Sequence, residues 1–359
     1  MPSMAPLSLI SCLRRSAGPL LVLALLLGPG SGQAQSAGSS PNGGSSVSPE
    51  GTVQAWLLKA HDASRQRAFT GTFVVSSGAA MSSARIWHVC DGAQQMERIE
   101  SLSGPPRATF RRDDQVMTFF PESRTAVSER RETLGLFPGL LRTSGSDIDH
   151  YYQLKVLGPD RAVGLDAEVA QLVPKDKLRY GYRVWTEKKT GLVLRLQTLD
   201  ALGQVLEQSA FSELQLDAPV SMAKLSTMMA ATEGYRVVHP EMQKVDARAK
   251  GWTLGREVAG FKSTGCFQRN GTAGGTAAAA SGTPSSAETL QWIFSDGLAH
   301  VSLFVVPFDA RRHTREGPAD LGGATQSVSR RIGDWWLTVV GEVPMATLTS
   351  FAQALERIR

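Results

Sequence analysis

A chain of 359 residues, 42% of them hydrophobic and 20% charged, is long enough for two cores and too apolar to be a disordered polyelectrolyte. The formal net charge is only +5, and two of the 38 basic residues but none of the 33 acidic ones fall in the first 34 positions. What remains is close to balance, which excludes a broad nucleic-acid surface.

Arg14 and Arg15 precede an apolar run over 20–27, and Gly32-Gln33-Ala34 supplies a small-residue cleavage site, so 1–34 reads as an export signal. The run is shorter than the ~20 residues that span a bilayer. Cys12 lies before it, which argues against a lipoprotein anchor. Residues 35–50, rich in Ser, Gly, Asn and Pro, read as a disordered lead.

Val53, Trp56, Leu57, Ala60 and Ala63 recur at helical spacing and predict an amphipathic helix over 52–65. Short strand-like runs follow over 69–76, 84–90, 94–101, 107–111 and 115–120. Asp91-Gly92, Gly104-Pro105-Pro106, Asp113-Asp114 and Pro121-Glu122 separate them. Strands at this spacing, with little helix between them, predict a curved antiparallel meander. From 128 to 151 the pattern breaks. Leu134, Leu136, Phe137, Leu140 and Leu141 crowd around Gly135, Pro138 and Gly139, which reads either as a plug packed on the sheet or as a flap over a lipid-sized groove. Strands resume over 151–157 and 168–174. The stretch 179–216 then reads as three consecutive strands, because Leu192, Leu194 and Leu196 alternate with Val193, Arg195 and Gln197. Lys188-Lys189-Thr190-Gly191 and Asp200-Ala201-Leu202-Gly203 supply the turns.

Pro219 ends this first domain, expected over 51–217, and a linker over 218–233 carries Met222, Leu225, Met228 and Met229 at helical spacing. A smaller α+β domain over 234–359 is expected to hold strands at 235–238, 258–267, 289–295, 300–306, 325–332 and 335–340. A closing helix follows, striped by Met345, Leu348, Ala352, Leu355 and Ile358. Residues 270–287 form a low-complexity insertion to which no function is assigned.

Catalytic patterns are thin. Ser221-x-x-Lys224 and Lys189-Thr190-Gly191 occur in the wrong order for serine penicillin-recognising enzymes, and Ser295-Asp296 is followed by Gly. A hydrolase would have to work through Ser221. His61, His88, His150, His239, His300 and His313 stand singly, without the spacing of a metal site, and no cofactor motif is present. Cys90 and Cys266, one in each expected domain, would either pair in an oxidising compartment or remain two thiols. Arg111-Arg112, Arg130-Arg131, the group Arg311, Arg312, His313 and Arg315, and Arg330-Arg331 read as solvated faces or as contacts for phosphates or an acidic partner.

The run RYGYRVWTEKKTGLVLRLQTLDALGQVLEQSAFSEL, preceded by TGTFVV and HVCDGAQQMERIESLSGPPRATFRRDDQVMTFFP and followed by SDGLAHVSLFV and TVVGEVP, resembles the RseB/MucB family over nearly the whole exported chain. The insertion at 270–287 and the long polar lead depart from it. The resemblance implies a periplasmic negative regulator of the envelope-stress sigma-E (AlgU-type) response. Such a regulator binds the periplasmic part of an RseA/MucA-type membrane anti-sigma factor, shields it from proteolysis, and is released by lipopolysaccharide or lipoprotein acyl chains. It implies an α+β, mainly antiparallel fold: a large unclosed LolA/LolB-like β-barrel domain with covering helices, beside the smaller domain. No enzyme activity and no metal are implied, and a homo-oligomer is compatible with it. A lipid groove would be lined from Phe73, Val75, Trp87, Phe119, Phe137 and Leu140, and partner or phosphate contacts would come from Arg311, Arg312, Arg315, Arg330 and Arg331. The rival reading is a periplasmic carrier of lipoproteins or lipids, which would hand bound lipid to an acceptor membrane.

Overall fold

The computed structural model describes residues 52–92, 94–130, 147–240, 242–269 and 289–358. The expected signal, the polar lead, most of the 128–151 segment with Phe137 and Leu140, and the 270–287 insertion lie outside them. No helix among the described residues is long and apolar enough to cross a membrane.

The first strands form a meander by local pairing. β1 (Phe69–Ser77), β2 (Ala80–Asp91), β3 (Gln94–Ser101), β4 (Ala108–Arg112), β5 (Gln115–Phe120) and β6 (Thr125–Arg130) each join the next by an antiparallel hairpin. β6 is absent from the sequence reading, because Thr125–Arg130 carries no clean alternation. A second run comprises β7 (Tyr152–Ala162), β8 (Leu165–Pro174), β9 (Gly181–Glu187), β10 (Val193–Leu199) and β11 (Val205–Leu216). It joins the first where β11 pairs with β1. The result is an open 12-stranded sheet running from β7 at one edge to β12 (Arg236–Val238) at the other. β12 corrects an expectation: it hydrogen-bonds parallel to β6, in the first sheet, and not in the second domain. The three strands within 179–216 and their turns are as expected. Gly191 takes φ +78° in the β9–β10 turn and lies against Ala63 of the first helix.

Helices cover both faces of this sheet. α1 (Val53–Arg65) is capped by Thr52, whose hydroxyl accepts from the Ala55 amide at 3.1 Å. Its apolar stripe, Val53, Leu57 and Ala60, packs on Phe69, Phe73, Ile86, Tyr182, Val184, Leu196 and Phe211. Leu57 is fully buried, a contribution of about 1.5–3 kcal/mol. α2 (Ile148–Tyr151) ties to it through Asp149 Oδ1, which accepts from the Val53 amide at 2.6 Å. On the opposite face α3 (Met222–Ala230) sets Leu225 and Met229 against Val89, Met96, Phe110 and Met117. Of the expected linker methionines, Met229 is in this core, and Met222 and Met228 pack half-buried against it.

The second sheet has seven strands in the order β13 (Met242–Lys244), β15 (Lys262–Arg269), β16 (Thr289–Ser295), β17 (His300–Pro307), β20 (Trp335–Gly341), β19 (Gln326–Ile332) and β18 (Gly317–Asp320). α4 (Met345–Ala354) packs Leu348, Phe351 and Ala352 against Phe261, Phe294 and Val301 in its core. The helix ends four residues before the expected stripe does. Leu355–Arg357 turns into strand β21, which pairs with β14 (Trp252–Leu254), and Ile358 is left exposed.

Candidate functional site

The four groove residues that the structure describes do not line one groove. Trp87 stands opposite Thr70, and Phe73 opposite Ala84. Directly paired residues share a face and successive residues alternate, so Trp87 points away from Phe73. Phe73 and Val75 lie on the α1 side, in or against the core beneath that helix. Trp87 and Phe119 lie on the α3 side, Trp87 stacked under the Arg98 guanidinium at 4.5 Å and Phe119 edge-on to Tyr235 at 5.1 Å.

The arginine clusters also separate. Arg330 and Arg331 are neighbours on β19 and point to opposite faces: Arg330 donates to the Leu355 carbonyl at 3.1 Å, whereas Arg331 lies over the Phe308 ring at 3.9 Å. The 308–316 loop folds on Trp336. His313 stacks on that indole at 4.8 Å, and its Nδ1 accepts from the Asp309 amide at 2.9 Å. Arg312 pairs with Asp309 at 3.6 Å, and Arg311 and Arg315 are exposed. Arg311, Arg312, Arg315 and Arg331 thus belong to one solvated loop region, and Arg330 is a structural donor.

Of the two readings open for Cys90 and Cys266, a bridge or two thiols, the structure has the second. Both are free thiols, Cys90 half-buried on β2 in the first sheet and Cys266 buried on β15 in the second. Burial pushes the Cys266 thiol up to about 11, which makes it a poor nucleophile. Ser221 is a helix cap: its Oγ accepts from the Lys224 amide at 3.2 Å at the start of α3. Lys189-Thr190-Gly191 is the β9–β10 turn, where Glu187 Oε2 accepts from the Thr190 amide at 2.6 Å.

What sequence reasoning missed is the junction between the two sheets. Arg179, between β8 and β9, and Asp296, in the β16–β17 turn, form an ion pair of 2.8 Å with both side chains wholly buried. Every nitrogen of the guanidinium is used. Nε donates to Asp176 at 3.0 Å, Nη2 donates to the Ala259 carbonyl at 3.0 Å, and the plane lies over Tyr151 at 4.5 Å and Phe261 at 5.1 Å. Asp296 divides its two oxygens. Oδ1 accepts from the Leu298 and Ala299 amides, which builds the hairpin turn, and Oδ2 takes Arg179 and, at 3.1 Å, the Tyr152 hydroxyl. Burial, more than any neighbouring charge, holds the Tyr152 and Tyr182 phenols well above their ordinary range. Leu298 enters the core under α1, and Thr347 of α4 donates to the Leu178 carbonyl at 2.7 Å.

A second line of contact runs beside the first. Glu207 on β11 accepts from Ser77 at 3.4 Å and from the Ala324 amide in the β18–β19 turn. Glu342, after β20, keeps contact with water but is walled by protein. Desolvation first, and then the Glu207 carboxylate, push it up to about 7.

Two family models match the chain, the MucB/RseB N-terminal domain over residues 52–229 and the MucB/RseB C-terminal domain over residues 246–356. The chain belongs to the MucB/RseB family. Arg179 falls in the first matched region and Asp296 in the second, so the buried pair joins the two family domains. The sigma factor AlgU regulatory protein MucB of Pseudomonas aeruginosa is 29% identical over 313 residues, 84% of this chain and 89% of that protein. The sigma-E factor regulatory protein RseB of Escherichia coli K12 is 22% identical over 306 residues, 84% of this chain and 90% of that protein. Among solved structures, the Pseudomonas aeruginosa MucA/MucB complex superposes with TM-score 0.63 and 26% identity, over 85% of this chain and 99% of that one. A crystal structure of MucB with MucA(peri) gives TM-score 0.61 over 85% and 98%.

Proposed function

We propose that this chain is a periplasmic negative regulator of an envelope-stress sigma factor of the sigma-E/AlgU type. It binds the periplasmic part of a MucA/RseA-type membrane anti-sigma factor and shields it from proteolysis. The observation that carries this reading is likeness, over 85% of the chain and through both family domains, to MucB as solved in complex with MucA. On this reading the chain acts by binding, and Ser221 and the Lys-Thr-Gly turn serve as a helix cap and a hairpin.

Release by a lipid or lipoprotein ligand follows from linkage. If acyl chains bind best to a state of low partner affinity, ligand weakens the partner and the partner weakens the ligand by the same factor. The junction at Arg179 and Asp296 is where such a state would differ, because it fixes the two domains against each other. The test is protection. The exported chain is incubated with the periplasmic segment of the anti-sigma factor and a periplasmic protease, with and without lipopolysaccharide or a lipoprotein. Slower cleavage that recovers on adding ligand supports the reading, and cleavage at the same rate with and without the chain defeats it.

A further inference from the structure

α4 covers one face of the second sheet. Side chains alternate along the strands, and Val301, Leu303, Val305, Leu337 and Val339 point into the core beneath that helix. Their chain neighbours point the other way. Cross-strand pairing shows which of these share the second face: Phe267 pairs with Gln291, Gln291 with Phe304 and Phe304 with Thr338, while Ile293 pairs with Ser302, Ser302 with Val340 and Val306 with Trp336. Ile293, Val340 and Trp336 therefore lie diagonal to Phe304, about 7–8 Å from it. Val306 is two residues on along the same strand.

Trp336 is closed off by His313, stacked on it at 4.8 Å. Phe267, Ile293, Phe304, Val306 and Val340 are half-buried, yet none of them belongs to the four apolar cores of the described residues. The polar residues among them turn to each other, Ser329 to Thr338 at 3.1 Å and Gln291 to Ser302 at 3.5 Å. The Phe267 ring lies back over Gly265, where an added Cβ would come within 2.7 Å of it. An apolar sheet face is what a further layer of structure buries. The charge on this face has one sign. Lys244 pairs with Phe267, Arg269 with Met242 and Arg331 with Trp336, and no paired position on the face holds Asp or Glu. Asp309, Glu316, Asp334 and Glu342 stand in loops off the ladder, as do Arg311, Arg312 and Arg315.

We propose that this second face is a docking surface for an acidic amphipathic helix. Apolar side chains of the helix sit on Phe304 and the residues around it, and its Asp or Glu groups meet Lys244 at one end and Arg331 at the other. β13 and β19 are five strand spacings apart in the sheet, which is roughly 24 Å and matches a helix of about 16 residues. A segment that crosses the strands cannot pair with them, so it satisfies its own backbone as a helix does. A second copy of the chain does not fit, since two such faces would set cation against cation. A bilayer fits less well than a helix. Elements that lie on membranes sink apolar side chains about 5–10 Å into the headgroup boundary, whereas the five here are half-buried among hydrogen-bonded Ser, Thr and Gln. The surface goes beyond the function proposed above and does not rest on it.

The probe is a labelled Leu/Glu peptide of roughly 18 residues, about five helical turns, titrated into the full exported chain and followed by anisotropy. A Leu/Lys peptide of equal length and phosphatidylglycerol vesicles are run in parallel. Two double variants are compared. F304T/V340T removes the apolar centre while keeping residues that favour strands, and K244Q/R331Q removes charge at two exposed positions. Thermal melts check the fold of each, and K244Q/R331Q keeps the test open if F304T/V340T melts early. The expected result is binding of the Leu/Glu peptide alone, weakened about tenfold or more by F304T/V340T. K244Q/R331Q should show a smaller loss and a flattened salt dependence. No binding of the Leu/Glu peptide, unchanged binding by either folded variant, or equal binding of the Leu/Lys peptide or the vesicles overturns the proposal. So does self-association of the chain, read by sedimentation, that F304T/V340T abolishes, because the face then belongs to a second copy.

Discussion

Replacing Arg179 with Met tests whether the buried pair holds the two domains together. The substitution keeps an unbranched apolar stem of similar length and removes all three donor nitrogens. Asp296 Oδ2, wholly buried, is then left with the Tyr152 hydroxyl alone, and the Ala259 carbonyl loses its donor. Breaking a buried pair from one side costs ~3–5 kcal/mol, because the surviving charge is uncompensated. Asp296→Asn reaches the same end from the other side: the amide oxygen still builds the turn through Leu298 and Ala299, but the buried Arg179 keeps only the half-exposed Asp176 as counter-charge. The double variant has neither orphan charge, so its loss falls short of the sum of the singles by about 2–3 kcal/mol. Arg67→Met is the control. Its pair with Asp217 has the same 2.8 Å separation but side chains 41% and 68% exposed, and it contributes no more than ~1 kcal/mol. The assay is urea unfolding followed by tryptophan fluorescence, at low and at 0.5 M salt. Trp56, Trp87 and Trp185 report on the first domain, and Trp252, Trp292, Trp335 and Trp336 on the second. The Arg179 and Asp296 variants should be destabilised independently of salt, and their two domains should unfold at different urea concentrations. Single variants that cost no more than the Arg67 control, or effects that simply add, would refute this account of the junction.

Three other outcomes follow from the same geometry. Glu342, raised to about 7 in the folded chain, binds its proton more tightly there than in the unfolded chain. Stability therefore rises as pH falls from 8 through 7 and levels off below the ordinary carboxylate range, and Glu342→Gln stabilises the chain at pH 8 but not at pH 4 in thermal melts. Ser221→Ala removes the α3 cap, costs about 1 kcal/mol in urea unfolding, and leaves anti-sigma binding unchanged; a loss of function without loss of stability would reinstate a chemical role for this serine. Alkylation at pH 8 should label Cys90 first and Cys266 only on unfolding, since Cys266 is buried with its thiol up to about 11; non-reducing peptide maps that show the two linked would contradict the free thiols.

Local patterns were readable where one face is buried and the partner strand is next in the chain. The alternation of Leu192, Leu194 and Leu196, the turn at 188–191 and the stripe of α1 come through because period and turn chemistry agree there. Parity across strands is not local. Whether Trp87 shares a face with Phe73 depends on the residue count through the β1–β2 hairpin, and one residue reverses every side chain. β12 joining β6 and β21 joining β14 are likewise pairings between distant segments, too short to announce themselves. The junction is the clearest case. Asp296-Gly297 is legible as a turn, but Arg179 lies 117 residues away, and nothing in either neighbourhood marks a buried ion pair. The partner itself is legible only through family resemblance, since no composition or spacing specifies an anti-sigma factor.

The central claim is that this chain holds the periplasmic segment of a membrane anti-sigma factor. It is tested most directly by calorimetric titration of the exported chain with that segment from the same organism, repeated with lipopolysaccharide or a lipoprotein present. The account predicts one-to-one binding at about micromolar affinity or tighter, weakened when the lipid ligand is added. A chain with an intact melting transition that takes up no segment in either condition would contradict it.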